Sequence, residues 1–600
     1  MKLASPASKL VAAVLALGAA LLLAHGLPGG STDAARAQVT PPAKPNIVVL
    51  LTDDQESRSM RVMKIAAKKL KRNGVTIKHY YDNFPLCCPA RATLLTGQYA
   101  HNHGVLSNVP PDGGYGVFEA LHGDNYLPLW MQAAGYQTSY IGKFENGYAE
   151  PDPYGTTPTD EPRGWNDWHV LAPSRAQYFN YTLNQNGTLH QYGAAPEDYS
   201  TDVFTKKART FIRANARAQS PFYLELGYAA PHGGGGGAPG KSCNRAAVPA
   251  PQDLGSLKHK FKGILPPSFN EADVSDKPTP ISTKPPLTPG QISDTLRKRR
   301  CAWESLLAVD RSVGSITDEL ARDGIDKNTY IFFLSDNGFL RGEHRIRDNK
   351  RFLYEESARV PFIAVGPGIP AGQSSSDTVV NADLTSTILQ LSGATPGLVQ
   401  DGTSLMPNLT DPKLERGRAI LLEAYAGTPI LGVRTNRYLY TEWESDAPDG
   451  QYKPAPEKEL YDMYADPYQL DNRAADPAYA SAVAELGTEL HQLLSCAGES
   501  CLTMPSGNFN FTNGGVGADG CMVPPVSATF TSTSNISSIV GVSFRANGQL
   551  VTTDSEAPYE SAIPDSAIRS AEPKRASVLA EVLYTDGRRL TLPAKIRLCS

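Results

Sequence analysis

The chain has 600 residues, too many for one ordinary hydrophobic core, so we expect a large domain with one or two smaller units. Its composition, with 41% hydrophobic and 20% charged residues, is that of an ordinary soluble globular protein. The formal net charge is −4 at pH 7, which gives no electrostatic reason to expect a nucleic-acid partner.

The N-terminal segment has the pattern of a secretion signal. Lys2 and Lys9 precede an apolar run over 10–23, which is short for a membrane span, and a small-residue cleavage pattern ends at Ala37. A single membrane anchor is the alternative interpretation. We predict a signal peptide over 1–37 and a secreted or extracytoplasmic mature protein with no membrane span.

Short apolar runs alternate with helical patterns over 38–395. The run NIVVLLTDDQ ends in carboxylates, and a helical pattern follows it as far as Gly74. The runs PFYLELGYAAPH and TYIFFLSDNG are two further apolar strands with polar residues at their ends. This alternation predicts an α/β domain with a mostly parallel sheet between layers of helices.

The C-terminal third has a different composition. We expect a smaller antiparallel C-terminal subdomain over 396–495 and a linker rich in Cys and Gly over 496–525. An alternating pattern over 526–600, with a hairpin signal at Asn547-Gly548, predicts an immunoglobulin-like β-sandwich module.

Export permits disulfides, and the chain has eight cysteines. Cys243 and Cys301 form a plausible pair, and the last four cysteines are interpreted as staples of a small late domain with open connectivity. The four are Cys496, Cys501, Cys521 and Cys599.

Polar residues follow several of the predicted strands, at the edge where ligands bind in parallel sheets. They are Asp53, Asp54, Lys143, His232, Asp336 and Asn337. The four Asp and Asn side chains form an oxygen-only set that favours calcium or magnesium over zinc. The alternative is that these residues are ordinary helix caps and turns.

Several cations accompany this oxygen set. Lys143, His232 and Lys350, together with Arg91, are suited to surround a tetrahedral anion during hydrolysis of a sulfate or phosphate ester. Each of them singly is as well explained as a surface or loop residue.

Two adjacent cysteines, Cys87 and Cys88, stand before Pro89. Pro89 suits the first position of a helix, so Cys87 is expected at or just before the helix N-terminus. Backbone amides there stabilise anions and lower the pKa of a thiol. A plain cysteine nucleophile and a buried or disulfide-bonded pair both remain open at this point.

The motif from Cys87 to Arg91, CCPAR, followed by ATLLTGQYAHNHGV, resembles the Cys-x-Pro-Ser/Ala-Arg signature of sulfatases in the alkaline phosphatase superfamily. The resemblance extends from PNIVVLLTDDQ to LYDMYADPYQLDN. The double cysteine, GKFEN and DNKRFLYEE are similar to the N-acetylglucosamine-6-sulfatase and arylsulfatase branch.

The resemblance implies an alkaline-phosphatase-like fold and a sulfuric ester hydrolase. Cys87 would be oxidised to formylglycine (3-oxoalanine) by a formylglycine-generating enzyme. One calcium ion, with magnesium as the alternative, would be held by Asp53, Asp54, Asp336, Asn337 and the residue at Cys87. Arg91 would steady the modified residue. Lys143, His232 and Lys350 would bind sulfate, and His232 or Lys350 would also assist the leaving oxygen.

One departure from the family pattern concerns the segment after Lys143. Glu145 stands where many sulfatases have histidine, and Asn146 is carried over as a substrate-binding residue. His344 is expected to line the pocket, with a structural role as the alternative. The expected substrate is a sulfated small molecule or glycan. The competing interpretations are a phosphonate monoester or phosphoester hydrolase of the same superfamily and an inactive sulfoglycan-binding protein.

Overall fold

A computed structural model describes most of the chain. The described residues are 44–150, 156–234, 243–258, 265–425, 427–444, 457–502, 507–516, 521–532, 539–564, 566, 575–584 and 589–599. The predicted signal peptide over 1–37 lies outside them. Within the described residues, no helix has the length and apolar character needed to cross a membrane.

The largest sheet has ten strands within the described residues. In chain order they are β1 (Asn46–Thr52), β2 (Val75–Tyr81), β3 (Gln137–Gly142), β4 (Asp167–Leu171), β5 (Thr182–Gln185), β6 (Thr188–Gln191), β7 (Phe222–Gly227), β8 (Thr329–Ser335), β9 (Phe362–Val365) and β10 (Gln373–Val380). Their order across the sheet is β10-β2-β9-β8-β1-β7-β3-β4-β5-β6.

The centre of this sheet is parallel. Strands β8, β1, β7, β3 and β4 run in one direction, while β9, β5 and β6 are antiparallel to their neighbours. Every residue of β1, β7 and β8 is buried, as expected for strands covered on both faces. Burial on both faces explains why the sequences of these three strands are largely continuous apolar runs.

Helices cover both faces of the sheet. The α-helices are α1 (Lys64–Ala66), α2 (Cys87–Thr96), α3 (Ala100–His103), α4 (Tyr115–His122), α5 (Leu127–Ala133), α6 (Ser200–Ala218), α7 (Thr279–Ser282), α8 (Pro289–Arg322), α9 (Glu355–Ala358), α10 (Ala382–Ser392), α11 (Met406–Thr410) and α12 (Ala480–Leu493). Alternate β1 residues enter two cores. Ile47, Val49 and Leu51 pack with α2, α4, α5 and α10, and Val48 and Leu50 pack with α1, α6 and α8.

The predicted α/β architecture is confirmed. The helical pattern predicted as far as Gly74 is present as three short helical segments, a 3₁₀ helix (Ser57–Val62), α1 and a π-helix (Ala67–Lys71).

A four-stranded antiparallel sheet follows the catalytic domain. Its strands, in sheet order, are β11 (Ile420–Tyr425), β12 (Pro429–Arg434), β13 (Tyr438–Trp443) and β14 (Glu457–Asp462). Helix α12 contributes Leu486, Leu490 and Leu493 to the core beneath this sheet.

The last strands form two further antiparallel sheets around a shared core. One contains β15 (Gly507–Thr512), β16 (Val526–Ser532) and β19 (Tyr559–Ile563). The other contains β17 (Ile539–Ala546), β18 (Gln549–Asp554), β20 (Arg575–Tyr584) and β21 (Arg589–Arg597). Strand β15 lies inside the segment predicted as a linker. Asn547 and Gly548 have φ of 48° and 83°, the left-handed pair that a tight β17–β18 turn requires.

Three disulfides connect the described cysteines. The predicted Cys243–Cys301 pair is present, as are Cys496–Cys501 and Cys521–Cys599. Cys496 and Cys501 belong to the core of the four-stranded subdomain, so only Cys521–Cys599 staples the terminal β-strands. Cys87 and Cys88 are both buried free thiols.

Candidate active site

Neighbouring strands deliver polar residues to one edge of the large sheet. In the order β8, β1, β7 and β3, the strands lead into Asp336, Asp53, His232 and Lys143. The backbone N–H of Asp336 donates to the carbonyl of Thr52 at 3.0 Å, which holds two of these strand ends in register. The structure therefore brings together residues that are far apart in the sequence, at the carboxyl edge where parallel sheets bind ligands.

Asp54 lies in the left-handed region of backbone space, with φ of 66°. In an extended strand, Asp53 and Asp54 would point to opposite faces. The left-handed conformation brings both carboxylates into one site, where Lys143 bonds Asp53 and Lys350 lies 2.6 Å from Oδ1 of Asp54. Such a conformation costs a non-glycine residue about 1–3 kcal/mol and is typical of functional sites.

Cys87 is the first residue of α2 and is completely buried. Its sulfur lies 2.8 Å from Nζ of Lys350, 3.5 Å from Nζ of Lys143 and 3.7 Å from Oδ1 of Asp53. The helix begins two residues before Pro89, so Cys87 does stand at the N-terminus. The expected lowering of the thiol pKa is wrong, however, because burial and the Asp53 carboxylate raise the pKa of Cys87 to about 11.

Arg91 projects from α2 one turn after Cys87 and is buried. Its Nε and Nη2 donate to Oδ2 of Asp336 at 2.8 and 2.7 Å, and its Nη1 donates to the carbonyl of Lys143 at 2.7 Å and to Tyr140 Oη at 3.0 Å. This planar fork fixes the start of α2 against the ends of β8 and β3.

The site balances three buried carboxylates against buried cations. Burial opposes ionisation of Asp53, but Lys143, His232 and Lys350 outweigh it and hold the pKa of Asp53 well below its usual range. Burial and the nearby Asp53 raise the pKa of Asp336. Burial also disfavours the charged form of Lys350, yet Asp54 and the other anions raise its pKa. The pKa of Lys143 is raised in the same way, because Asp53 outweighs its burial. Lys143 and Lys350 are therefore cationic near neutral pH.

The donor set fits a hard divalent cation. Ligand atoms of Asp53, Asp54, Cys87 and His232 all lie within 4.8 Å of one another. The Lys350 ammonium lies among the same donors, 2.6 Å from Oδ1 of Asp54 and 3.4 Å from Oδ1 of Asn337. Clustered carboxylate and amide oxygens that already hold one cation are the ligands that calcium and magnesium prefer.

An open cleft of about 620 Å³ gives access to this cluster. Lys143, Asn146 and His232 all line it. The His232 side chain is 29% exposed, with Nε2 at 3.6 Å from Oδ2 of Asp54 and Nδ1 at 2.6 Å from the carbonyl of Gly233. The His232 imidazole therefore stands between the buried charges and the open cleft.

Sequence reasoning missed other cleft residues. Asn108 lines the cleft and accepts a hydrogen bond from the backbone N–H of Cys88 at 2.9 Å. Arg175 and Glu150 line another part of it as a bidentate ion pair with both contacts at 2.7 Å. These residues lie in loops with no chemical motif, so the sequence held no signal for them.

Two residues near the motifs lie in enclosed surroundings. His344 is fully buried, with Nδ1 2.6 Å from Oε2 of Glu271 and its ring stacked on Tyr354 at 4.2 Å. The described cleft lining does not include it, which favours the structural alternative. Glu145 is buried near the Cys88 thiol, and burial raises the pKa of Glu145 to about 8.

Comparison with known proteins shows which family the chain belongs to. The family profile described as Sulfatase matches residues 45–394, which is more than half of the chain. The chain belongs to the sulfatase family. A second profile, N-sulphoglucosamine sulphohydrolase, C-terminal, matches residues 342–495.

Relatives with curated names agree with this membership. The sulfatase is 30% identical over 498 residues to the human N-acetylglucosamine-6-sulfatase, covering 77% of this chain and 86% of that protein. It is 32% identical over 521 residues to an arylsulfatase of Volvox carteri, covering 78% of each. The sulfatase is accordingly a sulfuric ester hydrolase.

Solved structures agree with the fold. A protein crystallised with its substrate D-glucosamine-2-N,6-O-disulfate aligns with a TM-score of 0.60 and 23% identity. The alignment covers 75% of this sulfatase and 97% of that chain.

Proposed function

We propose that the enzyme hydrolyses sulfate esters through a formylglycine made from Cys87 and with the help of one bound calcium ion. The observation that carries this proposal is the convergence of Lys350, Lys143 and Asp53 on the buried sulfur of Cys87. A structural cysteine has no need of two ammonium groups within hydrogen-bond distance.

The unmodified thiol is poorly suited to the reaction. With a pKa of about 11, Cys87 is protonated at neutral pH, and the thiolate is the reactive form. Formylglycine, when hydrated, supplies hydroxyl groups for attack on sulfur and a route for sulfate release that a cysteine lacks. A formylglycine-generating enzyme is therefore a proposed partner during maturation.

The proposed calcium ligands are Asp53, Asp54, Asp336 and Asn337, with the residue at position 87. Magnesium is the alternative because the same oxygen donors suit both ions. The ion would polarise a sulfate oxygen and lower the energy of the charge that develops there.

The remaining side chains have separable functions. Lys143 and Lys350 hold two positive charges beside residue 87, where the oxygens of a bound sulfate group would accept hydrogen bonds. Arg91 holds Asp336 and the Lys143 carbonyl in place, so it positions the site. His232, which faces Asp54 and the open cleft, donates a proton to the departing alcohol oxygen.

A sulfated sugar is the proposed substrate class. The name of the human relative supports it, and the cleft offers the neutral amides Asn108 and Asn146 with the charged pair Arg175 and Glu150. Such a mixture suits hydroxyl and acidic substituents of a sugar ring. Secretion is proposed because the described part of the chain holds three disulfides, which persist in oxidising compartments.

Steady-state kinetics with matched aryl sulfate and aryl phosphonate esters tests the reaction class, and a panel of sulfated monosaccharides tests the substrate class. We expect the sulfate ester to be preferred. A preference for the phosphonate above about tenfold, or roughly 1.4 kcal/mol in the barrier, would overturn the assignment in favour of a phosphonate monoester hydrolase.

Chelation tests the ion. We expect calcium chelation to remove most activity and added calcium to restore it. Asp54→Asn should need a higher calcium concentration to reach half of its maximal activity. Full activity of a metal-free preparation, verified by elemental analysis, would contradict the calcium proposal.

A further inference from the structure

A second pocket, of about 650 Å³, shares no lining residue with the active-site cleft. Its lining comes from three separate parts of the chain. The first is 57–79, with the helical segment and most of β2, and the second is 355–363, from α9 into β9. The third is the four-stranded subdomain, which contributes Arg434, Asn436, Met463, Tyr464 and Pro467. The pocket therefore lies where the catalytic domain meets the four-stranded subdomain.

The lining of this pocket is strongly basic. Among its described residues, one carboxylate, Glu355, stands against seven lysine and arginine side chains: Arg58, Arg61, Lys64, Lys71, Lys78, Arg359 and Arg434. The whole chain carries a formal net charge of −4, so this concentration of positive charge does not follow from composition. A cleft lined by one sign of charge focuses its field on ligands of the opposite sign.

The single carboxylate is already fully engaged. Glu355 bonds Arg359, lies 3.3 Å from Nε of Arg434 and accepts a hydrogen bond from Tyr81 Oη at 2.7 Å. Two guanidinium groups thus share one negative charge at this end of the pocket, and Arg434 is buried. Burial and then Arg434 lower the pKa of the neighbouring His79 to about 4, as expected in a positive field.

Three lysines on the lining have no acidic partner among the described residues. No described carboxylate lies within ion-pair distance of Lys64, Lys71 or Lys78, and all three are exposed. Tyr464, 60% exposed, also lines the pocket and offers an aromatic face. Several separated cations with one exposed aromatic ring suit a ligand that combines multiple anionic groups with sugar rings.

We propose that this pocket is a second, non-catalytic binding site for a sulfated oligosaccharide. The ligand class rests on the proposed sulfated-sugar substrate, while the anion preference rests on the lining charges alone. A chain with sulfate groups along its length would be retained here while one of its esters enters the active-site cleft. Polymeric substrates would then bind more tightly than monosaccharide sulfates with the same scissile ester.

Charge reversal in the pocket tests this proposal. The full chain carrying Cys87→Ala, which prevents turnover, is titrated calorimetrically with a heparin-derived octasaccharide. We expect added Lys71→Glu and Lys78→Glu to weaken binding at least about tenfold. The matched control is Lys68→Glu with Lys206→Glu, since both lysines are exposed and lie outside the pocket lining. Equal affinities of the two double variants would overturn the proposal.

Footprinting of the unaltered chain provides a test that needs no variant. We expect the octasaccharide to protect Lys71 and Lys78 from acetylation while Lys68 and Lys206 stay reactive. Equal protection by inorganic sulfate at the same sulfate concentration would overturn the proposal in favour of a single-anion site. The absence of any selective protection would also overturn it.

Turnover of a small aryl sulfate separates this proposal from the proposed function. We expect Lys71→Glu with Lys78→Glu, in the chain that retains Cys87, to hydrolyse the aryl sulfate like the unaltered enzyme and to lose efficiency on the sulfated oligosaccharide. Lysine protection without any sulfatase turnover would contradict the proposed function and leave the second site standing. Sulfatase turnover without lysine protection would contradict the second site and leave the proposed function standing.

Discussion

Nζ of Lys350 lies 2.8 Å from Sγ of Cys87 at the buried start of α2. An ammonium group at this distance stabilises a thiolate, yet burial and the Asp53 carboxylate still raise the pKa of Cys87 to about 11. The surroundings of Cys87 therefore suit a neutral nucleophile next to an anionic substrate better than they suit a thiolate.

The two adjacent cysteines are predicted to differ completely in importance. We expect Cys87→Ala to abolish turnover without loss of fold. Of the two cysteines, only Cys87 contacts Lys143 and Lys350. The matched variant Cys88→Ala should lose less than about tenfold, since the Cys88 sulfur contacts Asn146 and Glu145 and neither of the two lysines. Mass spectrometry of the peptide spanning both residues should show an aldehyde at position 87. An unmodified thiol in fully active enzyme would refute the mechanism.

Arg91 is predicted to stabilise the folded chain. Arg91→Met leaves the buried Asp336 carboxylate without its bidentate partner, and breaking such a pair costs about 3–5 kcal/mol. Denaturant unfolding followed by circular dichroism measures this loss. Lys69→Met is the control, because the Lys69–Asp318 pair is exposed and should change stability by no more than about 1 kcal/mol. Similar losses in the two variants would contradict the prediction.

His232 is predicted to act on the leaving group. His232→Ala should lower kcat by about 10²–10⁴ for sugar sulfates, whose alcohols need a proton as they depart. The loss should be smaller for nitrophenyl sulfate, because that phenolate leaves without protonation. His190→Ala, on the exposed strand β6, is the control and should leave both rates unchanged. Equal losses for good and poor leaving groups would point to substrate binding instead.

Glu225 is predicted to make stability fall as pH rises. Burial raises the pKa of Glu225 from its ordinary value of 4.5 to about 7, with Tyr223 Oη donating to the carboxyl group at 2.6 Å. Between these two values the unfolded chain releases the proton while the folded chain keeps it, so the free energy of unfolding decreases with pH. Glu225→Gln should remove this decrease, a gain of at most about 3 kcal/mol above pH 7.

Glu355 provides the opposite case. Burial alone would raise its pKa, but Arg359 and Arg434 lower the pKa of Glu355 to about 2. Glu355→Gln should therefore be less stable than the unaltered chain above pH 4.5, and the difference should vanish as pH falls towards 2. Denaturant unfolding at several pH values gives, for Glu225→Gln and for Glu355→Gln, the difference in the free energy of unfolding from the unaltered chain. If this difference changed with pH in the same direction for both variants, the assignment would be contradicted.

The sheet and the gathering of polar residues at its carboxyl edge were largely predictable from the sequence. Continuous apolar runs such as β1 and β8 identify parallel strands buried on both faces, and polar residues after them must meet at the carboxyl edge. The conformation of Asp54 was not predictable, because an aspartate at a strand end carries no signal for a left-handed backbone. The depth of the site and the resulting pKa of Cys87 also depend on packing that the local sequence does not encode.

Other features depend on contacts between distant segments. The sequence around His344 contains nothing that identifies Glu271 as its partner, 73 residues earlier. Strand β15 comes from a segment rich in Gly and Asn, and its pairing with β16 is decided by the sheet. The basic pocket was not predicted, because its cations come from parts of the chain that are far apart in the sequence. The segment over 57–74 is strongly basic, but nothing in it shows that Arg359 and Arg434 complete the same pocket.

The complete burial of Cys87 also constrains the biogenesis of the enzyme. An oxidising enzyme that must grip the peptide around this residue has no access once α2 has docked against β8 and β3. Under the proposed mechanism, conversion of Cys87 would have to precede folding, during synthesis or translocation, and a chain that folded first would stay inactive. The yield of active protein from any host would be set by competition between two rates, modification and collapse, rather than by the stability of the final structure.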